Sequence, residues 1–428
     1  VTPPPAGGAR GGRAFYGWTA IVPSVFVILL VTNGLTLGGM AAFDPTLIAQ
    51  LGVSRAEVKF GDFIQLGITA IMTLGSGWLS DRYGVRPVMV VGILALAAGF
   101  FGLGRVDTLS DLYWARFMMG LGLAGAGLAI CVVAVSRWFV LRRGLALGLV
   151  LAGTSLGNGF FPRIFTTLIA DQGLRTAADV AAIAILAMLL LVWWPLREWP
   201  AAVGAEPLGR SRLAAAGVAT EGGAEGSVGA ELTYREILSR REFWLIGVAA
   251  FATFFAILGV NNNMILHMQS LGLPPVTGSL IAIPLFLAGL IGKLAAGWLT
   301  DLLGRKPVWV VSLSLMLVAV LSLSAMRPGW VPAAAVVLGL GWGANYTLLQ
   351  AVVSDVFGTR SLGRVMGAIT VMDAGGGALG PWVTAAIADA TGSYRAGFAA
   401  IALLLVAGLL CASRLGINTP DRAVRGTR

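Results

Sequence analysis

The chain has 428 residues, 57% hydrophobic and only 12% charged, about half the charged share of an ordinary soluble domain, so a water-soluble fold cannot hide its apolar surface. The net charge of +10 raises nucleic acid or acidic lipid as a partner, and the placement of the basic residues must decide between them. Cys131 and Cys411 lie in apolar stretches without metal or redox spacing, which predicts two free, buried thiols.

Residues 1–13 are basic and rich in Pro and Gly, and read as a disordered cytoplasmic N-terminus. The apolar run that follows is too long for a signal peptide and is expected to remain as the first span. Runs long enough to cross about 30 Å of hydrocarbon begin near Tyr16, Glu57, Arg86, Leu109, Gly144 and Ala177, giving an N-terminal six-helix bundle over 14–199. Residues 200–240 form a cytoplasmic linker, Ala-, Gly- and Glu-rich up to about Leu232. Thr233 and Glu236 then predict a capping box on a short surface helix. Six more runs begin near Arg241, Pro275, Pro307, Trp330, Leu362 and Tyr394, a C-terminal bundle over 241–415, followed by a basic cytoplasmic tail over 416–428. The expected fold class is an all-α membrane protein of twelve transmembrane helices in two pseudo-symmetric six-helix bundles.

Of the 30 Lys and Arg residues, this layout puts Arg55, Lys59, Arg105, Arg175, Arg327 and Arg395 outside and Arg116, Arg163 and Lys293 within spans. The remainder fall on the side of the termini, as cytoplasmic loops require. The charge therefore marks a membrane face, in a cell membrane and by expectation the bacterial inner membrane. It does not form a nucleic-acid groove.

Gly77 to Pro87 reads GWLSDRYGVRP and Gly297 to Pro307 reads GWLTDLLGRKP, an offset of 220 with six identities. Weaker echoes follow: Gly120-Leu121-Gly122 with Gly339-Leu340-Gly341, Ser136 and Phe139 with Ser354 and Phe357, and Pro162 with Pro381. The chain is thus a duplication of six-helix units in parallel orientation.

On these residues the chain resembles the major facilitator superfamily. The signature G-x-L-x-D-R-x-G-R-[RK] is carried by Gly77, Leu79, Asp81, Arg82, Gly84 and Arg86, with Val85 at a usually basic position and Leu302 where the second copy usually has Arg. Tyr16-Gly17-Trp18, Val53-Ser54-Arg55, Arg137-Trp138-Phe139, Arg142-Arg143-Gly144 and Gly392-Ser393-Tyr394 resemble the oxalate/formate antiporter and monocarboxylate transporter branches. The resemblance implies secondary transport of a small organic anion, a monocarboxylate, by alternating access with proton symport or anion exchange. A drug/proton efflux antiporter is the alternative transporter class, although Gly153 to Gly159 lacks the proline of its span-five pattern. A non-transporting membrane sensor is the alternative of another class. No nucleophile–base pair, metal-ligand spacing or ATP-binding loop is evident, so no enzyme, metal or cofactor is expected, and a monomer is expected.

Charges inside spans are the best pointers to function, since each costs about 2.5–3.5 kcal/mol at a helix centre. Lys293 lies eight residues before Asp301, roughly 12 Å above the end of its helix. With Gly297 it matches the cation-x-x-x-Gly pattern that in the resembling transporters pairs with substrate carboxylate, and a structural ion pair is the rival reading. Monocarboxylate transporters carry Asp one turn earlier, where this chain has Gly289. Asp373 lies roughly 14 Å from Arg364, at a similar depth; it serves either proton coupling, in exchange with Lys293, or structure at Gly375-Gly376-Gly377. Arg163, after Pro162, contacts the anion, snorkels, or pairs with Asp171. Arg116, four residues before Gly120, resembles an Arg-x-x-x-Gly pattern linked to proton coupling or gating.

Asn263 and His267 are one turn apart and read as outer pathway liners, with a structural role for His267 as the rival. Asn33 and Tyr346 lead the other polar candidates, ahead of Thr36, Gln65, Asn158 and Asn345. Asp81, Arg82, Asp301 and Arg142 are the expected cytoplasmic gate, where loop carboxylates meet arginines and helix N-termini.

Overall fold

In hydrocarbon every backbone N–H and C=O must find a partner within its own segment, so apolar runs of this length fold as helices. The computed structural model describes residues 15–139, 142–208, 233–325, 327–357 and 362–416, with the side chains of Asp81 and Asp301 outside that description, and is helical almost throughout. The expectations for residues 1–13, most of the linker and nearly all of the tail lie outside the described residues.

Ten helices among the described residues are long and apolar enough to cross a membrane. The longest, Gly144–Trp193, is broken at Gly173, whose φ of 85° and ψ of 166° divide it into two rods. Leu362–Thr391 is a further 30-residue rod. In chain order the rods are α1 (Gly17–Ala42), α2 (Arg55–Tyr83), α3 (Val85–Leu103), α4 (Leu109–Ser136), α5 (143–172) and α6 (174–193), then α7 (Arg241–Ser270), α8 (Pro275–Leu303), α9 (Arg305–Ser324), α10 (Val331–Phe357), α11 (Leu362–Thr391) and α12 (Tyr394–Arg414).

The duplication is written into the backbone. Six of the seven positive-φ glycines among the described residues come in pairs: Gly52 (φ 64°) with Gly272 (φ 77°), Gly84 (φ 93°) with Gly304 (φ 85°), and Gly173 with Gly392 (φ 72°). Each pair ends corresponding helices, where a side chain would be strained and glycine is not. The predicted capping box forms, Glu236 N–H donating to Thr233 Oγ1 at 3.3 Å and Thr233 N–H to Glu236 Oε2 at 2.7 Å. Ser54 with Glu57 and Thr108 with Asp111 cap α2 and α4 in the same way. Cys131 and Cys411 are free, Cys131 buried as expected but Cys411, on α12, only half-buried.

Each half builds its own apolar core, one centred on residues such as Ile28, Phe100 and Ile185, the other on Trp309, Leu338 and Phe398. Close approach of helices depends on small residues. Gly153 and Gly157 lie against the Phe26 and Leu30 carbonyls of α1, and Gly376 and Gly380 against the Phe251 and Phe255 carbonyls of α7. The Gly375-Gly376-Gly377 run is therefore a packing surface within a continuous helix.

The halves meet along two seams, α2 with α11 and α5 with α8. At the end opposite the repeated loops, here the far end, they are joined tightly. Ala56 N–H donates to Asp389 Oδ2 at 2.7 Å, Phe60 and Phe63 pack on Trp382 with ring centroids 5.2 and 5.5 Å apart, and a methyl on Gly159 would touch Ala282, Ile283 and Phe286. Toward the loop end the same helices carry exposed Leu74, Trp78, Leu145, Leu294, Trp298 and Val371, and open space surrounds Gly75, Gly144, Gly148, Gly297 and Gly367. The seam is closed from the far end down to Lys293 and open beyond it.

Candidate functional site

Lys293 sits where the closed seam ends. Its ammonium donates to Ser155 Oγ of α5, in the other half, at 3.2 Å. It also stands 4.8 Å from the ring centre of Trp342 and 5.1 Å from that of Tyr346. Trp342 and Tyr346 are one turn apart on α10 and so present their faces together. Such cation–π contacts contribute about 0.5–2 kcal/mol each, less than a desolvated charge requires. No carboxylate pairs with Lys293 among the described residues.

Asp373, on α11, is buried, and its Oδ1 has no hydrogen-bond partner among the described residues. The pairing of Lys293 with Asp373 considered from sequence is not formed among the described residues: Lys293 donates to Ser155 Oγ and faces Trp342 and Tyr346 instead. Arg163 is half-buried with Nη1 unpartnered among the described residues, and its alternative pair with Asp171 is likewise not formed. Asn33 has one long contact, to Thr32 Oγ1 at 3.5 Å. It adjoins Gly34, which packs on Gly157, two residues from Ser155.

Two expected pathway liners are placed elsewhere. Asn263 is fully buried; its Nδ2 donates to the Gly259 and Pro381 carbonyls at 2.9 and 3.0 Å, and its Oδ1 accepts from the Tyr394 hydroxyl at 3.3 Å. It ties α7 to α11 and α12. His267, one turn on, is fully buried against the edges of Tyr394 and Phe398, at 5.6 and 4.8 Å, with neither ring nitrogen hydrogen-bonded among the described residues. The shared face is real but looks into the second half's own core; the rival reading expected a hydrogen-bonded structural His267, and no such bond forms among the described residues. Gln65 and Asn345 also serve packing. Gln65 bridges Arg116 and the Thr36 carbonyl, and Asn345 accepts from Trp309 Nε1 and donates to Thr253 Oγ1.

Arg116 is completely buried but not alone. It meets Asp62 Oδ1 at 2.6 Å, Asp44 Oδ1 at 3.5 Å and Gln65 Oε1 at 3.2 Å. Lys59 donates to Asp44 and, at 3.3 Å, to Asp62 Oδ2, and all four charged side chains are at most 4% exposed. The sequence reading put Lys59 outside the membrane; instead it lies inside α2, one turn beyond the Ser54 cap, and closes a ring of two cations and two carboxylates. A lone Arg within a span needs carboxylates, and Asp44 after an apolar run and Asp62 three residues beyond Lys59 were the available signal.

At the loop end each half latches to itself. Arg82, expected in a gate, is exposed over the rings of Trp78 and Tyr83 on its own helix. Arg142 is exposed in a left-handed conformation (φ 61°) at the start of α5. Arg86 Nη2 donates to the Trp193 carbonyl at 2.7 Å, and Arg305 pairs with Asp355 within the second half. With the seam open here, neither Arg82 nor Arg142 pairs with a carboxylate of the other half among the described residues. The Asp81 and Asp301 carboxylates lie outside the described residues.

A sequence model of the Major Facilitator Superfamily matches residues 25–370 and again 267–427. The chain belongs to this superfamily. It is thus a multi-pass membrane transporter, similar to proteins that are not enzymes. Monocarboxylate transporter 13 of Rattus norvegicus is 26% identical over 420 residues, covering 95% of this chain and 89% of that one. The oxalate:formate antiporter of Oxalobacter formigenes is 25% identical over 387 residues, covering 89% and 86%. Among solved structures, a bacterial homologue of the human lysosomal transporter Spinster, described as inward-facing and occupied, superposes with a TM-score of 0.74 at 14% identity, covering 96% of this chain and all of that one.

Proposed function

We propose that the protein is a secondary active transporter of a small organic anion, a monocarboxylate, and that Lys293 receives the carboxylate. The observation that carries this reading is an ammonium at the inner end of the closed seam, capped by two aromatic faces and a hydroxyl from the opposite half, with no carboxylate partner among the described residues. A half-buried cation within a span and without a counter-charge among the described residues is costly, and an anionic passenger supplies one. Contact with Ser155 lets occupancy of the site bear on both halves, as alternating access requires. Relatives named for monocarboxylate and for oxalate and formate support the same cargo class.

Asp373 is the proposed proton-coupling group for symport, and pure anion exchange is the rival mode. Tyr346, Asn33 and Arg163 complete the proposed binding surface. In this reading the loop end faces the cytoplasm of a bacterial cell, both termini lie there, and the protein works as a monomer.

The test is uptake of labelled monocarboxylates into proteoliposomes. Competition by carboxylates but not by hydrophobic cations is expected, and the reverse pattern would transfer the protein to drug efflux. Asp373→Asn is expected to keep exchange while losing accumulation driven by a proton gradient; unimpaired accumulation would remove Asp373 from coupling.

A further inference from the structure

The buried ring in the first half has one arm reaching the second. Asp62 takes donors from three helices: Lys59 of α2 and Arg116 of α4 in its own half, and Asn262 Nδ2 of α7 on Oδ2 at 3.2 Å. The orientation of the Asn262 amide is fixed independently, since its Oδ1 accepts from Asn261 Nδ2 at 3.0 Å. Asn262 is 5% exposed.

We propose that Asp62 and Asn262 form the latch that holds the far end shut, and that the neutrality of Asn262 is what lets the latch reopen. The ring carries two cations and two carboxylates, all in the first half. When the halves part, it stays whole and charge-balanced, and a single uncharged amide withdraws. A lysine or aspartate on the second half would instead leave a buried charge stranded each time the far end opened, which is strongly unfavourable. Other far-end contacts are an apolar seal of Phe60 and Phe63 against Trp382 and exposed contacts at the rim, where Asp389 accepts from Ala56 N–H and stands 3.9 Å from Arg55. The hydrogen bond to Asp62 is both charge-assisted and dry, so it holds the closed state with a directional contact where water does not compete. The inference rests on alternating access and not on the identity of the passenger.

The experiment follows a cysteine placed in the seam by Ala282→Cys, a buried position facing Gly159 of the other half, labelled with a membrane-impermeant maleimide from the far side. The parent with Cys131 and Cys411 alone sets the background. Asn262→Asp, which sets a second carboxylate against Asp62, is expected to raise the labelling rate about tenfold, and Asn262→Ala about threefold, as the closed population falls. The exchange Asn262→Asp with Asp62→Asn keeps the charge balance and turns the carboxylate of residue 262 toward Lys59 and Arg116, so labelling is expected to return to the starting rate or below. Unchanged labelling in both single variants, or a rise that the exchange does not reverse, would overturn the latch.

Discussion

Two sets of charge inside the helical bundles, a fully buried ring and a half-buried Lys293, are treated in opposite ways. The ring of Asp44, Lys59, Asp62 and Arg116 satisfies itself, each cation touching two carboxylates. Lys293 has a hydroxyl and two aromatic rings but no carboxylate among the described residues. The ring belongs to one half and moves with it. Lys293 stands at the boundary between halves, next to the open part of the seam. The contrast teaches that buried charge alone does not locate a transport site. What distinguishes the proposed site is a charge with no carboxylate partner among the described residues, at a place where one can arrive.

The sharpest way to break this contrast is to remove a cation from the ring. Arg116→Ala leaves Asp44 and Asp62 with Lys59 alone, an uncompensated buried charge, and is expected to destabilise the protein by about 3–5 kcal/mol. Its thermal unfolding midpoint in detergent should fall far below that of the wild type, and an unchanged midpoint would show that the ring is not under electrostatic load. A smaller effect is expected at Gly84. A Cβ there meets the Glu198 carboxylate at 2.2 Å with φ at 93°, so Gly84→Ala should cost about 1–3 kcal/mol of backbone strain, read as a lower midpoint with substrate affinity retained. His267→Phe should be smallest. With no hydrogen bond to lose and aromatic edges already around it, it is expected to change stability by less than about 1.5 kcal/mol and to leave transport intact. Loss of transport in that variant would return His267 to the pathway.

Much of this was legible in the sequence, for reasons that can be named. The offset of 220 between the two GWL loops predicted the duplication, and the left-handed Gly52 and Gly272, Gly84 and Gly304 are its backbone form. Span positions followed from apolar length, and the capping box from Thr233 and Glu236 alone. Lys293 and Tyr346 were legible because a cation and an aromatic residue interrupt apolar helices, and the structure brings them together.

Placement around a helix was less legible. Asn261, Asn262 and Asn263 form one polar run, but successive residues point about 100° apart, so Asn262 reaches Asp62 while Asn263 turns into α11 and α12. Lys59 was misplaced because Arg55, Glu57 and Lys59 look like a loop edge until Asp44, fifteen residues earlier, is known to fold beside them. The Lys293 aromatic cap was incomplete in sequence because Trp342, like any tryptophan in a span, reads first as packing. The gate residues could not be paired from sequence, since whether loop arginines meet across the seam depends on which end of the molecule is open.

The central claim is that Lys293 is kept without a carboxylate so that a passenger can provide one. It is tested most directly by measuring, on one purified Lys293→Ala preparation, equilibrium binding of a labelled monocarboxylate that the wild type transports, together with the thermal unfolding midpoint. The account predicts affinity weakened at least about 100-fold, equivalent to about 2.7 kcal/mol, with a midpoint equal to or above that of the wild type. Binding at wild-type strength in that preparation would contradict it.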